Sequence, residues 1–412
     1  MTPEQYLEKT KQFAIALFAL SVLFSVSVVE GAMLLLAGTV ILERYRRGQL
    51  KLLLEETVAQ PLFRPWMLYL AVGLLTAAFA LNKGKAFAYA PSDIIKYLCF
   101  IALMAGLTKD KLAAMSDFYI FAAVSAAAIG IAQSAWALSS GLDLRAHAFA
   151  HPVRFGEMML IALWLPLARF LTEKQLGGRK LNIVACLIIF TALALSQTRG
   201  AYLGFCASFV FIDLLDSPSR IRFSFVLIPL LLASILALQT VPAVQHKVFS
   251  ISDGIAKAAS SLMEPSSAIT NHTSDVAINI RIELWKTGLR IFRDHPLTGV
   301  GPANVKKVFP DYYNGPLGDQ NTWGSLHNLY LHHLVERGII GLAALLTLFG
   351  GMFALAWKNF RTERNEWTLW ALAVLPAYFV VNLTEISFQH IHTSFAVFLA
   401  LAASCASIKS EG

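Results

Sequence analysis

The chain reads as an all-α polytopic membrane protein, about twelve transmembrane helices with a helical cap on one face. Three observations predict this. The 412 residues are 56% hydrophobic and only 15% charged, with a mean hydropathy of +0.59. So few charges cannot shield that much apolar surface from water, whereas a bilayer solvates it and needs only about 20 apolar residues per helical crossing. Apolar runs recur along the whole chain, and one long polar interval, 241–337, parts them into two groups.

Twelve apolar segments lie near 12–28, 31–43, 66–81, 94–107, 113–138, 157–172, 182–197, 201–215, 222–240, 338–357, 366–384 and 391–408. Several are shorter than a full crossing, as expected of tilted, broken or re-entrant helices around a water-filled cavity. The chain thus divides into residues 1–240 with nine spans, the interval 241–337, and residues 338–412 with three. The N-terminal run follows Lys9 and Lys11 without a clear small-residue cleavage site, so it reads as a retained span.

Charge sets the topology. With the N-terminus inside and sides alternating, the inside loops receive Lys9, Lys11, Arg44, Arg46, Arg47, Lys51, Arg64, Lys109, Lys111, Arg169, Lys174, Arg179, Lys180, Arg220, Arg222, Lys358, Arg361, Arg364 and Lys409. The short outside loops receive only Lys83, Lys85, Lys96, Arg145, Arg154 and Arg199. Cytoplasmic loops carry such an excess, so both termini are expected in the cytoplasm and 241–337 outside. The central portions of the spans read as nearly free of charge. The net charge of +8 lies between apolar segments rather than on a soluble basic patch, which favours membrane lipids over nucleic acid. Cys99, Cys186, Cys206 and Cys405 all fall in apolar runs without a C-x-x-C pair, so neither a zinc site nor a disulfide framework is expected.

Within the polar interval, Val244, Val248, Ile251, Ile255, Ala258 and Leu262 recur at helical spacing, as do Ile280, Leu284 and Ile291. Glu264–Ser274 reads as an exposed loop. Gly, Pro and Asn between Pro296 and Gly324 predict a loop there too.

The candidate chemistry begins with cations on the disfavoured side. Arg145 and Arg154 share one short outside loop, Arg199 follows Ser196-Gln-Thr198 at a sharp turn, and Arg281 opens the second outside helix. A guanidinium fork donates bidentately to phosphate and keeps its charge, so several facing one cavity would hold a diphosphate. Each alone could instead snorkel to head groups or pair with Glu157 or Glu283. His327 precedes an apolar helix at the expected membrane boundary, where an imidazole can be a general base or simply a cap. Tyr330 follows it. Glu385, near the last span, can orient a histidine or an arginine. A metal reading is weak: there is no H-E-x-x-H and no Asp-x-Asp pair.

Three elements in order resemble the O-antigen ligase/polymerase superfamily: Thr198-Arg-Gly200-Ala-Tyr-Leu-Gly204; Arg281-x-x-x-Trp285 with Asp294-His-Pro-Leu-Thr-Gly299-Val-Gly301; and His327-Asn-x-Tyr330-Leu-x-x-Leu-x-Glu336-x-Gly338-x-x-Gly341. The resemblance covers about residues 190–360. It implies a membrane glycosyltransferase fold of the GT-C-like type in a bacterial inner membrane, with the site facing the periplasm. It also implies transfer of O-antigen from undecaprenyl diphosphate to lipid A–core oligosaccharide, with no metal or other cofactor. Arg199, Arg281 and His327 correspond to the family's functional positions; Arg145, Arg154 and Glu385 match more loosely. The compact length is more like a ligase than a protein O-oligosaccharyltransferase. An O-antigen polymerase shares the donor, and a lipid-linked glycan transporter is the reading from another class. For the ligase, direct displacement with inversion at the sugar C1 is expected, and a glycosyl-histidine intermediate would give retention instead.

Overall fold

The computed structural model describes residues 2–142, 144–173, 176–215, 273–314 and 322–408. All regular elements among them are helical. In order these are α1 (Pro3–Ser21), α2 (Val26–Arg46), α3 (Leu50–Ala59), α4 (Phe63–Ala78), α5 (Lys83–Gly106), α6 (Leu112–Ser139), α7 (Pro152–Thr172), α8 (Leu176–Leu195), α9 (Arg199–Leu215), α10 (Thr273–Asp294), α11 (Val305–Tyr312), α12 (Leu329–Thr362), α13 (Glu366–Val381) and α14 (Ile391–Ile408). Local chemistry sets several starts: Thr2 and Gln5 form a capping box on α1, while Ser25, Asn82 and Asn365 cap α2, α5 and α13 with their side chains.

Among the described residues seven helices are long and apolar enough to cross a bilayer, and the bent pair α3–α4 would make an eighth. α9 and α13, with 17 and 16 residues, are shorter. Eleven of the twelve apolar segments fall on described helices; the ninth, 222–240, and the amphipathic spacing at 244–262 lie outside the described residues. α7 and α14 are buried nearly all round and form the centre of the bundle, whereas Phe121 (65% exposed), Leu181 (76%) and Leu214 (71%) face outward. Large apolar side chains that stay outside a packed bundle are what a lipid environment accommodates. The chain is a polytopic helical membrane protein. Its described cysteines form no disulfide; three are buried and Cys206 is exposed on α9.

The structure differs from the sequence reading in several places, and Arg281, read as opening the second outside helix, is the ninth residue of α10, which starts earlier at Thr273. Residues 50–59, read as part of a basic loop, form α3, set at 84° to α4. α5 begins at Lys83 rather than near 94, so Lys96 lies inside a span and not in an outside loop. Pro91, Ser92, Asp93 and Lys96 interrupt the apolar run and hide the helix's first half. Within the stretch from Pro296 to Gly324, read as loop, α11 forms a short amphipathic helix that packs Val305, Val308 and Phe309 against Leu284 and Ile291 of α10. With Val300, Leu326 and Val335 these side chains make a small core separate from that of the bundle.

That small core meets the bundle at a break in α12. Gly338 has φ 65° and ψ −168°, a left-handed backbone that suits glycine. The break strands helical N–H and C=O groups, and the segment 296–301 satisfies them. Val300 and Gly301 N–H donate to the carbonyls of Val335 (3.0 Å) and Glu336 (2.8 Å), and Ile339 N–H donates to the Pro296 carbonyl (2.9 Å). Val300 also accepts from Leu81 N–H at the end of α4. The Pro-Leu-Thr-Gly-Val-Gly run is therefore a clamp on the broken helix.

The spans are not free of charge. On α5, Asp93 accepts from Arg337 Nη2 of α12 (2.6 Å) and from Lys96 Nζ (3.3 Å), all three side chains nearly inaccessible. The Arg337 guanidinium lies 5.0 Å from the Tyr69 ring centroid, and the Tyr69 hydroxyl meets His333 Nε2 at 3.0 Å.

Candidate functional site

Two of the three sequence elements meet on one carboxylate in the turn after α13, and the third, Thr198–Gly204, approaches the residue beside it. Glu385 Oε1 lies 2.8 Å from Arg281 Nη2, and its Oε2 lies 2.9 Å from His327 Nδ1. Glu385 is 7% exposed, while Arg281 and His327 each keep about a third of the side chain open. Arg281 thus pairs across the fold rather than with Glu283, whose carboxylate is engaged by Lys286 one turn on.

Each element is held for this purpose. Arg281 and Trp285 stand on one face of α10, four residues apart. Trp285 Nε1 donates to the Leu326 carbonyl (3.0 Å), fixing the loop just before His327. His327 itself is left-handed, with φ 46°, a conformation unusual for a residue with a Cβ and concentrated at functional sites. Asn328 caps α12 through its side chain, and Leu329 N–H donates to the carbonyls of both Asn382 (2.8 Å) and Glu385 (3.0 Å). The helix that follows His327 therefore grips the turn that carries Glu385.

The Thr-Arg-Gly element arrives from below this turn. A Cβ on Gly200 would stand 2.2 Å from Thr384 Oγ1, so glycine is what lets the start of α9 approach the residue next to Glu385. Arg199 opens α9 here, half-buried. Arg145 directs its fork at the same turn, with Nε donating to the Ser196 carbonyl (2.7 Å) and Nη2 to Thr198 Oγ1 (3.2 Å). Arg154 is exposed in the first turn of α7. One turn on, Glu157 is buried and accepts from Ser387 Oγ (2.6 Å), two residues past Glu385.

Two histidines absent from the sequence-level candidates belong to this surface. His390 follows the Ser387–Gln389 turn, and His151 caps α7 through Nδ1. Burial first, then the positive charge of Arg154, push His390 down to about 3, with Glu385 opposing. Burial first, then Arg145 and Arg154, also lower His151, and the charges of Glu385 and His327 reach it as well. Both rings are neutral neighbours of the arginines. For Glu385, burial is the largest influence and raises its pKa, but the hydrogen bonds and charges of His327 and Arg281 together outweigh it and hold the carboxyl below its usual range. A signal for His390 and His151 was present in the motifs around them, yet only the fold brings both loops to one place.

The remaining candidates are occupied with structure. The Tyr330 hydroxyl donates to the Phe379 carbonyl (2.9 Å), bracing α12 on α13. His332 and Glu336 are buried and face each other at 3.3 Å, and Glu336 Oε1 also accepts from Ala303 N–H (2.8 Å), tying the clamp segment down. Among the described residues no group of three or more His, Cys, Asp or Glu side chains is placed to hold a metal ion.

Fold and site together define a polytopic helical membrane protein in which a small helical subdomain lays an arginine and a histidine over a carboxylate of the bundle. Residues 184–346 match the family model described as O-Antigen ligase, which agrees with the superfamily resemblance read from the sequence motifs. The matched region contains Arg199, Arg281 and His327; Arg145, Arg154 and Glu385 lie outside it. The chain is also similar to a protein of Haemophilus influenzae (strain ATCC 51907 / DSM 11121 / KW20 / Rd) described as uncharacterized, 24% identical over 204 residues. That alignment spans 48% of this chain and 48% of the relative.

Proposed function

We propose that the protein is an O-antigen ligase, moving O-antigen from undecaprenyl diphosphate to lipid A–core oligosaccharide. The observation that carries this is the Glu385 carboxylate bridging Arg281 and His327. In the proposed topology both termini are cytoplasmic, and residues 241–337 form a periplasmic helical domain over a GT-C-like bundle in the inner membrane.

The donor sugar is already activated by its diphosphate, so the enzyme has to deliver a nucleophile and stabilise departing negative charge. Glu385 accepts the Nδ1 hydrogen of His327, which leaves the Nε2 lone pair for a substrate proton. Nε2 removes the proton of an acceptor-sugar hydroxyl as its oxygen attacks C1, and the bond from C1 to the diphosphate oxygen breaks with inversion. Arg281 and Arg199, with Arg154 and Arg145 behind them, balance the charge gathering on the leaving diphosphate. Arg281 does so while anchored on Glu385, so its remaining N–H groups are pre-oriented before substrate arrives.

The test is transfer in detergent with purified lipid-linked O-antigen and lipid A–core. Product of joined glycan and core is expected; no product with an intact donor overturns the reading. Elongated glycan that stays on the carrier would identify a polymerase instead. The buried Asp93–Arg337–Lys96 cluster suits a lipid-linked glycan transporter, because intramembrane ions often mark transport paths. Transfer by the purified chain excludes transport as its sole activity.

A further inference from the structure

A second site candidate lies at the opposite end of α4 from the Val300 contact, where α2 turns into α3. α3 has no buried residue: Leu50, Leu52, Leu54 and Val58 are all exposed, the last two at 67% and 57%. A ten-residue helix set at 84° to a span, with no core of its own, takes its stability from what it lies on. Its leucines suit the boundary between head groups and acyl chains. Behind it is a cavity of about 430 Å³ lined by Arg44, Leu53, Glu56, Gln60, Ile101 and Met104, among others. That volume falls within the range of about 300–1,000 Å³ typical of small-molecule pockets.

The lining is divided by chemistry. α5 contributes an apolar wall of Ile101, Met104 and Ala105, and Leu53 faces it from α3. The opposite rim carries one fixed cation and one fixed anion. Arg44 Nη2 donates to Glu56 Oε2 (2.9 Å) and Nη1 to Gln49 Oε1 (3.1 Å). Arg44 Nε and Glu56 Oε1 have no partner among the described residues. Around it Arg47 and Lys11 share Glu43 and Lys51 pairs with Glu55, while the cavity's own lining holds one cation, Arg44, and one anion, Glu56. What the cavity presents is therefore an Arg–Glu dipole beside an oily wall, and not a net cation.

We propose that this cavity binds a glycerophospholipid with a phosphoethanolamine head. The lipid phosphate accepts from the uncommitted N–H groups of Arg44, the primary ammonium donates to Glu56 and to the Gln60 carbonyl oxygen, and the acyl chain lies on Ile101, Met104 and Ala105. A purely anionic head would meet Glu56 unfavourably, and a quaternary choline head has no N–H to give it. The bound lipid would pin α3 against the bundle.

The experiment is thermal unfolding of the purified full chain in detergent, with phosphatidylethanolamine, phosphatidylcholine or phosphatidylglycerol of identical acyl chains, or with water-soluble phosphoethanolamine. Ligand that binds only the folded chain raises the midpoint. Phosphatidylethanolamine is expected to raise it at least about twofold more than the other two lipids, and phosphoethanolamine alone to leave it unchanged. Glu56→Gln, on an exposed helix position, is expected to transfer the preference to phosphatidylglycerol, because Arg44 then stands uncompensated. Ala105→Trp, which fills the apolar wall, is expected to abolish any preference. Equal shifts with all three lipids, or a phosphatidylethanolamine preference that survives both substitutions, overturns the proposal. A shift with phosphoethanolamine alone does so too, by assigning the site to a soluble phosphate.

Discussion

Arg337 and Asp93, 244 residues apart, meet at 2.6 Å with side chains 1% and 6% exposed, and so fix the end of the first half of α12 to α5. His327 stands at the other end of that half-helix, before Leu329. Removing one partner leaves the other charge buried without compensation. Asp93→Asn or Arg337→Met is expected to cost about 3–5 kcal/mol, and the double variant less than the sum of the two. Unfolding midpoints in detergent check this, and single variants as stable as the parent would show that the pair contributes nothing.

The carboxylate at Glu385 is expected to matter to turnover more than to folding. Glu385→Gln keeps the shape but removes the charge that holds both His327 and Arg281, and should lower transfer by about 100-fold. His327→Ala should fall further, within about 10²–10⁴-fold, while still binding the lipid carrier. Rates with purified donor and acceptor decide the matter; near-parental transfer by His327→Ala means that another group takes the proton.

Arg281→Lys tests the fork. An ammonium can still reach Glu385 but cannot also present parallel N–H groups to a diphosphate. A loss of about tenfold or more is expected, the worth of one hydrogen bond to a charged group. Full activity would mean that charge alone suffices at this position.

Gly200→Ala drives a Cβ into Thr384 Oγ1, so the start of α9 and the Glu385 turn must separate. Transfer should fall, and adding Thr384→Ala should restore part of it, since the next Thr384 atom is 3.5 Å from the new Cβ. Additive losses in the double variant would mean that this contact does not couple the two elements.

Acid should destabilise the protein from below pH 6.5. His390 has a folded pKa of about 3 against an ordinary 6.5, so the unfolded chain takes up a proton that the folded chain refuses as pH falls between those values. Glu385 acts in the same direction: its depressed pKa gives stability above the usual carboxylate range, which is lost as pH falls through the folded value. Unfolding midpoints recorded from pH 8 to pH 4 should decline, and His390→Asn should flatten the upper part of that decline. A midpoint that rises on acidification contradicts both assignments.

Much of this protein was legible in the sequence, for a physical reason. Crossing a bilayer demands long apolar runs, and such runs are local, so eleven of twelve segments fall on helices among the described residues. The motifs were local too. Arg281 and Trp285 share a helical face at four-residue spacing, whereas the break in α12 at Gly338 came only with the structure. Where local signals conflicted, the reading failed. α3 is short and charged, and α5 carries an exposed Pro91 beside Asp93 and Lys96, whose burial makes sense only once Arg337 is seen beside them.

The sequence by itself determined the solvent, the class of fold and the three elements that carry Arg199, Arg281 and His327. Only the tertiary structure decided that Glu385 is the hub. Its partners lie 104 and 58 residues away, and no periodicity or motif encodes which carboxylate a distant guanidinium and imidazole will share. It likewise gave Arg145 to the turn before Arg199 and brought His151 and His390 to the arginines. Pairings of that kind come from packing two helical layers together, through close approaches such as Gly200 on Thr384, and packing is a property of the folded chain rather than of any stretch of it.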